Sequence, residues 1–282
     1  MRKTTIAAAL AAVSTLSLAA CKQEPAATTD TTATATTTAA AGGTGIDGTW
    51  KADVASVKID QKPDTYMLKD GKFECSSCTP ALSVAADGAF HAVNRPVSDH
   101  VSVKVDDDHN VTMTGQKGGR TLGVTKYSVS LDGKVLTVSM TDTSVEGGKP
   151  VMSSVTENRS ADAPAGAHAL SGSWKVAKLN NVSDEGLITT FKLDGDTLHM
   201  TSPQGVSYDA KLDGTDAPIK GDPGGATASV KKTGDNTYVE TDKRGGKVVS
   251  VTTMTIGADG KMHAVNEDPR NGSKTTYDMT RS

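Results

Sequence analysis

The chain has 282 residues and a formal net charge of −3, with 30 Lys and Arg residues against 33 Asp and Glu residues. Aromatic residues make up only 4% of it, and the basic residues are scattered singly among acidic ones. These properties argue against the basic patches and aromatic stacking platforms that hold nucleic acids, so we expect no nucleic-acid partner.

The first twenty residues have the composition of an export signal. A positive start and an apolar run lead to Leu18-Ala19-Ala20-Cys21. This stretch resembles a bacterial lipoprotein signal, which implies removal of residues 1–20 and lipidation of Cys21 as the first residue of the mature protein. Several acyl chains on Cys21 would hold the protein stably on a membrane. The alternative is that Cys21 is an ordinary cysteine after a conventional export signal.

The residues after the cysteine bear on localisation and reach. In enteric bacteria, an Asp directly after the lipidated cysteine retains a lipoprotein at the inner membrane. This chain has Lys22 at that position, so the resemblance implies the bacterial outer membrane, facing the periplasm. Residues 21–45 are mostly Ala, Thr and Gly, which predicts a disordered tether because few apolar groups can offset the entropy of ordering. A flexible chain of this length spans on the order of 25 to 30 Å.

The remainder of the chain contains two copies of one module. Matching segments recur at an offset that drifts only between 122 and 127 residues. The matches are Gly48-Thr49-Trp50-Lys51 with Gly172-Ser173-Trp174-Lys175, Ser102-Val103-Lys104 with Ser229-Val230-Lys231, Gly118-Gly119-Arg120 with Gly245-Gly246-Lys247, Asp132-Gly133-Lys134 with Asp259-Gly260-Lys261, and Arg159 with Arg281. This order predicts a tandem duplication, with module 1 at residues 46–160, a linker at 161–169 and module 2 at 170–282.

Within each copy the apolar residues alternate with polar ones. Val101 to Asp106 and Tyr127 to Leu131 both follow this period of two, which is typical of strands with one buried face. Asp-Gly pairs predict tight hairpin turns between the strands. These pairs are Asp70-Gly71, Asp87-Gly88, Asp132-Gly133, Asp194-Gly195, Asp213-Gly214 and Asp259-Gly260. We therefore predict an all-β fold of two tandem antiparallel meander barrels.

The Gly-x-Trp-Lys start of each copy, the stretch from Tyr208 to Pro223 and the closing Asp-Gly-Lys strand pair carry a further resemblance. The chain resembles a family of uncharacterised bacterial lipoproteins with tandem lipocalin-like β-barrel modules, over nearly all of residues 46–282. The resemblance implies that Trp50 and Trp174 each plug one end of a barrel. A role in lining a ligand site is the alternative.

Cys75-Ser76-Ser77-Cys78 is the motif with the most chemistry, and three interpretations of it remain open. A structural disulfide is favoured in an oxidising envelope, and it requires the chain to turn at Ser76-Ser77, because residues three apart in a strand lie beyond disulfide reach. A redox-active pair is less favoured because the motif stands in a β pattern and not at the start of a helix. Metal binding or free thiols are the third interpretation.

Other candidate motifs favour structural roles. Asp106-Asp107-Asp108 lacks the ligand spacing of a calcium loop and predicts an acidic hairpin tip. The six histidines show no paired spacing typical of a metal site or a general base, and Gly221 to Gly225 lacks the residues of a phosphate loop. We expect no cofactor, no metal and no catalytic residues.

These observations leave three functional hypotheses. The first is a lipid-anchored binding protein whose barrels hold a small apolar or amphipathic ligand or an envelope partner. The second is a structural or interaction protein with solid barrel cores, because a barrel of about eight strands can be filled by its own side chains. The third and least favoured is a thiol redox enzyme that uses Cys75 and Cys78.

Overall fold

The computed structural model describes residues 45–282, and it confirms the predicted all-β fold. Two antiparallel sheets each curve into a nearly closed barrel. Within the described range the helical elements are two 3₁₀ helices, Val54–Ser56 and Asp184–Gly186. None of the helices in residues 45–282 has the length and apolar character needed to cross a bilayer. Cys21 and most of the expected tether lie outside the described residues.

The first barrel is built from one continuous segment of the chain. Its sheet runs in the order β5-β4-β3-β12-β11-β10-β9-β8-β7-β6. The strands are β3 (Asp64–Lys69), β4 (Lys72–Cys75), β5 (Leu82–Ala85), β6 (Asp87–Ala92), β7 (His100–Val105), β8 (Asn110–Lys117), β9 (Arg120–Val129), β10 (Val135–Asp142), β11 (Val151–Ala161) and β12 (Gly172–Val182). Buried and exposed residues alternate along β8 and β10, as period-two patterning requires.

The second barrel combines the start of the described chain with its last third. Its order is β15-β14-β13-β1-β21-β20-β19-β18-β17-β16, and β2 also pairs with β21. The strands are β1 (Gly48–Ala52), β2 (Lys58–Asp60), β13 (Ile188–Asp194), β14 (Thr197–Thr201), β15 (Ser207–Lys211), β16 (Ala217–Pro218), β17 (Ala226–Gly234), β18 (Thr237–Arg244), β19 (Lys247–Ile256), β20 (Met262–Asp268) and β21 (Ser273–Arg281).

The two barrels exchange their opening strands. β1, which opens the first sequence copy, lies between β13 and β21 of the second copy, and Trp50 stands opposite Thr189 and Arg281. β12, which opens the second copy, lies between β3 and β11 of the first, and Trp174 stands opposite Asp64 and Arg159. The limits of the sequence copies therefore differ from the limits of the barrels, because the first barrel extends to the end of β12.

Most of the predicted Asp-Gly turns are present. Asp70 and Gly71 both have positive φ between β3 and β4, and the Asp132-Gly133 and Asp259-Gly260 pairs join successive strands. The prediction of a turn at Asp87-Gly88 was wrong, because these residues lie inside β6. The positive φ of Gly88 instead accompanies a shift in the pairing register between β6 and β7, which is a β-bulge.

Each opening tryptophan is fixed by the same set of contacts. Trp50 and Trp174 are fully buried, and each indole N–H donates a 2.8 Å hydrogen bond to the carbonyl of the residue four positions earlier. The Arg281 guanidinium lies 4.4 Å from the Trp50 ring centroid, and that of Arg159 lies 4.0 Å from the Trp174 ring centroid. A guanidinium over an indole face is an attractive cation–π contact.

The arginines also bind the backbone that precedes each tryptophan. Arg159 donates from Nη1 to the Ser171 carbonyl at 2.7 Å and from Nη2 to the Ala169 carbonyl at 2.6 Å. Arg281 likewise donates from Nη2 to the Gly45 carbonyl at 2.6 Å. Each arginine belongs to one sequence copy and its tryptophan to the other, so these contacts hold the exchanged strands in place.

Double-mutant cycles should detect this pairing of copies. Arg281→Met with Trp50→Leu, and Arg159→Met with Trp174→Leu, should each show a coupling energy of about 0.5 to 2 kcal/mol in the free energy of unfolding, because each pair shares a cation–π contact. The mismatched pair Trp50→Leu with Arg159→Met serves as the control and should be additive. Coupling between Trp50 and Arg159 would show instead that the first copy closes on its own strand.

Candidate functional site

The inner face of the second barrel changes from apolar to polar along its axis. Strand register places residues of β18, β19, β20 and β21 side by side in rows. The row nearer to Trp50 contains Tyr238, Met254, Ala264 and Tyr277, and all four are buried. The next row contains Glu240, Thr252, Asn266 and Thr275, and beyond it Asp242 pairs with Ser250. The polar rows lie toward the barrel end that is distant from Trp50.

The equivalent rows of the first barrel are more apolar. Pairing of β8 with β9, of β9 with β10 and of β10 with β11 aligns Val111, Tyr127, Val138 and Val155, and then Met113, Thr125, Met140 and Ser153. Met113 therefore holds the place that Glu240 holds in the second barrel, and Gly115 that of Asp242.

Three aromatic side chains pack together inside the first barrel. The ring centroids of Tyr66 and Tyr127 lie 5.4 Å apart, and those of Tyr66 and Phe73 lie 6.1 Å apart. Each of these rings is at most 4% exposed. Asp64 is also buried there, and it accepts hydrogen bonds from Gln61 and Ser77. These rings form a packed aromatic cluster, and the buried Asp64 beside them has protein partners.

The polar cluster of the second barrel centres on Glu240, Asp242 and Tyr208. The Tyr208 hydroxyl donates a 2.6 Å hydrogen bond to Oε2 of Glu240. Glu240 and Asp242 lie two residues apart on β18, and both face the interior beside the fully buried Tyr208. Taken as whole residues, Glu240 and Asp242 are partly buried, and Oδ1 of Asp242 is shielded from solvent.

Burial changes the protonation of this pair. Burial raises the pKa of Glu240, and the hydrogen bonds from Tyr208 and Asp242 partly oppose that rise. Burial also raises the pKa of Asp242 well above its ordinary value, and repulsion from the Glu240 carboxylate adds to the rise while Arg244 opposes it. Two close carboxyl groups in such a place share a proton. Their mutual hydrogen bond raises the pKa of Asp242 and lowers that of Glu240, which favours Asp242 as the protonated member of the pair.

Two polar atoms at the edge of the cluster have no hydrogen-bond partner among the described residues. These atoms are Oδ1 of Asp242 and Nε of Arg244, and both are shielded from solvent. Arg244 uses another nitrogen, Nη2, to contact Oδ1 of Asp222 at 2.8 Å. A buried acceptor and a buried donor thus remain available for hydrogen bonds beside the carboxyl pair, and leaving such groups unbonded is costly.

Loops of the first barrel adjoin this end of the second barrel. The Lys117 ammonium donates a hydrogen bond to the Pro223 carbonyl. A Cβ built on Gly224 would lie 2.9 Å from Val97 Cγ1 and 2.4 Å from Arg244 Nε, so these groups crowd one point. The end of the second barrel that carries the polar cluster therefore lies against the first barrel, whereas Trp50 lies toward the opposite end.

The two cysteines lie at the end of β4 in the first barrel. Their sulfur atoms are 2.12 Å apart and their Cα atoms 5.4 Å apart, which is disulfide geometry. The chain bends at Ser76 and Ser77 between β4 and β5, as the sequence predicted. Cys75 is 1% exposed and belongs to the packed core. The bridge lies in a different barrel from the polar cluster.

Several histidines face acidic side chains on the protein surface. Nδ1 of His263 lies 2.8 Å from Asp278, and Nδ1 of His199 lies 2.7 Å from Asp209. The hydrogen bond with Asp278 raises the pKa of His263. Within residues 45–282 no group of three or more His, Cys, Asp or Glu side chains is arranged to hold a metal ion.

Sequence reasoning missed the polar cluster. Tyr208 begins the stretch that carries the family resemblance, but Glu240 and Asp242 stand in no recognisable motif. A signal was nevertheless present, because the offset of 127 residues that aligns Ser102 with Ser229 also places Glu240 opposite Met113. Where one copy has an acidic residue and the other has an apolar residue at the equivalent inward position, the interiors of the two barrels differ in polarity.

Comparison of the chain with protein-family models, with curated proteins and with solved structures finds no match.

Replacing Asp242 by Asn should stabilise the protein in a pH-dependent manner. The raised pKa of Asp242 means that the folded state binds a proton more tightly than the unfolded chain, so stability falls as the pH rises above about 4. The isosteric Asp242→Asn side chain retains a donor for Glu240 and removes this penalty. Its unfolding temperature should exceed that of the unmodified protein at pH 7 to 8, and the gain should vanish near pH 4.

Asp132→Asn provides the control of opposite sign. Hydrogen bonds from Ser130 and from the backbone N–H of Lys134 lower the pKa of Asp132, so its contribution to stability is present above pH 4 and is lost in acid. This variant should be less stable than the unmodified protein at neutral pH. A lower unfolding temperature of Asp242→Asn at pH 7 would contradict a protonated Asp242.

Proposed function

We propose that this protein is a lipid-anchored lipoprotein of the bacterial cell envelope that binds a small amphipathic molecule inside its second barrel. The ligand's polar group contacts Glu240 and Asp242, and its apolar part faces the Met254 and Tyr277 row. The first barrel serves as a packed support. The observation that carries the proposal is that the inner face of the second barrel presents a carboxyl pair, with Oδ1 of Asp242 unbonded, where the first barrel has Met113 and Gly115.

The chemistry of the cluster favours one class of polar group. A carboxyl pair that shares one proton has a net negative charge, and Oδ1 of Asp242 accepts no hydrogen bond from the described residues. A group that donates hydrogen bonds or carries a positive charge complements this surface. Amines and hydroxyls therefore suit the site better than carboxylates or sulfates, which the Glu240 charge would repel.

The arrangement of polar over apolar rows favours an amphipathic ligand. Ligand sites in proteins are mostly apolar, with a few polar groups that set orientation. Here the apolar row of Tyr238, Met254, Ala264 and Tyr277 adjoins the polar row directly. A small molecule with a polar end and a short hydrocarbon part would contact both rows at once.

The anchor and the tether support an envelope location. An export signal at residues 1–20 would direct the mature protein out of the cytoplasm, and residues 21–45 have the composition of a flexible tether. The disulfide geometry of Cys75 and Cys78 accords with an oxidising compartment. Lys22 after the lipidated cysteine favours the outer membrane, with the barrels in the periplasm.

A role in binding an envelope protein is the second candidate, and the first barrel favours it. Tyr66, Phe73 and Tyr127 pack against one another in its interior, which favours its outer surface and loops as the means of interaction. Leu131 at the tip of the hairpin between β9 and β10 is 91% exposed, and such a side chain can contact a partner.

Ligand binding should depend on the carboxyl pair. We expect the full chain, extracted from its host membranes, to carry a small amphipathic adduct in native mass spectrometry. Calorimetric titration should show that hexylamine binds more tightly than hexanoate. The double variant Glu240→Gln with Asp242→Asn should remove this preference, because it keeps the shape of the site and eliminates its charge.

Met113→Leu is the matched control, since it changes the equivalent row of the first barrel while nearly conserving volume. It should bind hexylamine like the unmodified protein. The absence of an adduct, together with equal or undetectable binding of both probes, would leave the protein-binding role as the better explanation.

The anchor has a separate test. In cells that express Cys21→Ala, the protein should move from the membrane fraction to the soluble envelope fraction, because no acyl chain can be attached. Cys75→Ala with Cys78→Ala should remain membrane-bound. Retention of Cys21→Ala on the membrane would contradict lipidation at this residue.

A further inference from the structure

We propose that the two sequence copies form a strand-exchanged pair that stays assembled without the linker between them. β1 and β12 act as the recognition elements: β1 occupies the slot between β13 and β21 of the second copy, and β12 occupies the slot between β3 and β11 of the first. The binding partner of each copy is thus the other copy. The covalent linker keeps the two copies close in space, but non-covalent contacts hold them together.

Each exchanged strand pairs with its neighbour in the same register in both barrels. In the second barrel, Thr49 stands opposite Thr190, and their hydroxyl oxygens lie 2.9 Å apart. In the first barrel, Ser173 stands opposite Thr65, and their hydroxyl oxygens lie 3.1 Å apart. The same positions of the repeat therefore meet in both barrels, always between copies.

The side chains that fix the exchange also come from opposite copies. Trp50 lies under Arg281 and Trp174 lies under Arg159, and both indoles are fully buried. Removal of one opening strand would expose a tryptophan and break a row of backbone hydrogen bonds. Burial of an aromatic ring of this size is among the largest single contributions to the stability of an interface.

The linker makes a small contribution by comparison. Residues 162–171 join β11 to β12, which are neighbouring antiparallel strands of the same barrel, and residues 162–168 are the surface part of this connection. The linker is mostly exposed, and its contacts include a hydrogen bond from Lys69 Nζ to the Ala165 carbonyl and one between His168 Nε2 and the Asp107 carbonyl. A cut here leaves the pairing of β11 with β12 intact.

The chain crosses between the barrels at two other places. β2 leads into β3, and β12 leads through the Asp184–Gly186 helix into β13. Both crossings stay intact when the linker is cut, one in each fragment. Each fragment therefore contributes strands to both barrels, and separation of the fragments requires both barrels to open.

The test uses the full chain with a protease site in place of residues 162–167. After cleavage, the two fragments should elute together at the size of the intact protein in gel filtration, and they should separate only in denaturant. Fragments that separate under native conditions would overturn the proposal.

Paired cysteines distinguish exchange from self-closure. Thr49→Cys with Thr190→Cys, and Thr65→Cys with Ser173→Cys, should each join the two fragments of the cleaved chain covalently on a non-reducing gel. The matched pairs Thr49→Cys with Thr65→Cys and Ser173→Cys with Thr190→Cys would form disulfides only if each copy closed on its own strand. The proposal would be overturned if neither exchange pair joined the two fragments. It would also be overturned if the disulfides joined two separate chains, because the strands would then be exchanged between molecules.

Discussion

The reciprocal placement of β1 and β12 is the constraint on which the rest of the architecture depends. Each strand completes a barrel that the other sequence copy builds, and a buried tryptophan under an arginine fixes each one. Since an open sheet edge exposes unpaired backbone groups, neither barrel is complete without its exchanged strand. The duplication is therefore a structural unit in itself, because one copy alone leaves a slot empty and a tryptophan without its arginine.

The sequence predicted the local structure well and the exchange not at all. Alternating residues in β8 and β10 and Asp-Gly pairs such as Asp132-Gly133 reflect interactions between near neighbours, which a single chain reveals directly. The neighbouring strands of β1 cannot be predicted in this way, because the two copies offer equivalent positions for it with equivalent residues. Periodicity cannot distinguish Thr65 from Thr190 as the neighbour of Thr49, so only the three-dimensional path of the chain decides.

The candidate site was hidden from motif analysis for a related reason. Glu240 and Tyr208 lie 32 residues apart in the sequence, and their hydrogen bond depends on the closure of the second barrel. The disulfide pair and the opening tryptophans were visible because each of these motifs is local or repeated. In a duplicated protein, such a site can be detected as a position where the two copies differ in polarity. Here the first copy has Met113 and the second copy has Glu240.

The interiors of the two barrels differ in what they contribute: one has a packed core that stabilises the fold, and the other has buried polar groups that reduce stability. A barrel that keeps Asp242 protonated and Glu240 buried gives up part of its stability, since burial of carboxyl groups opposes their ionisation. The first barrel has Met113 at the equivalent level, next to the row that contains Tyr127, and bears no such cost at that position. Because the exchanged strands bind the barrels together, the stability of the packed barrel supports the fold of the polar one. Duplication followed by divergence of one inner face thus permits a polar interior that a single small barrel would be less able to sustain.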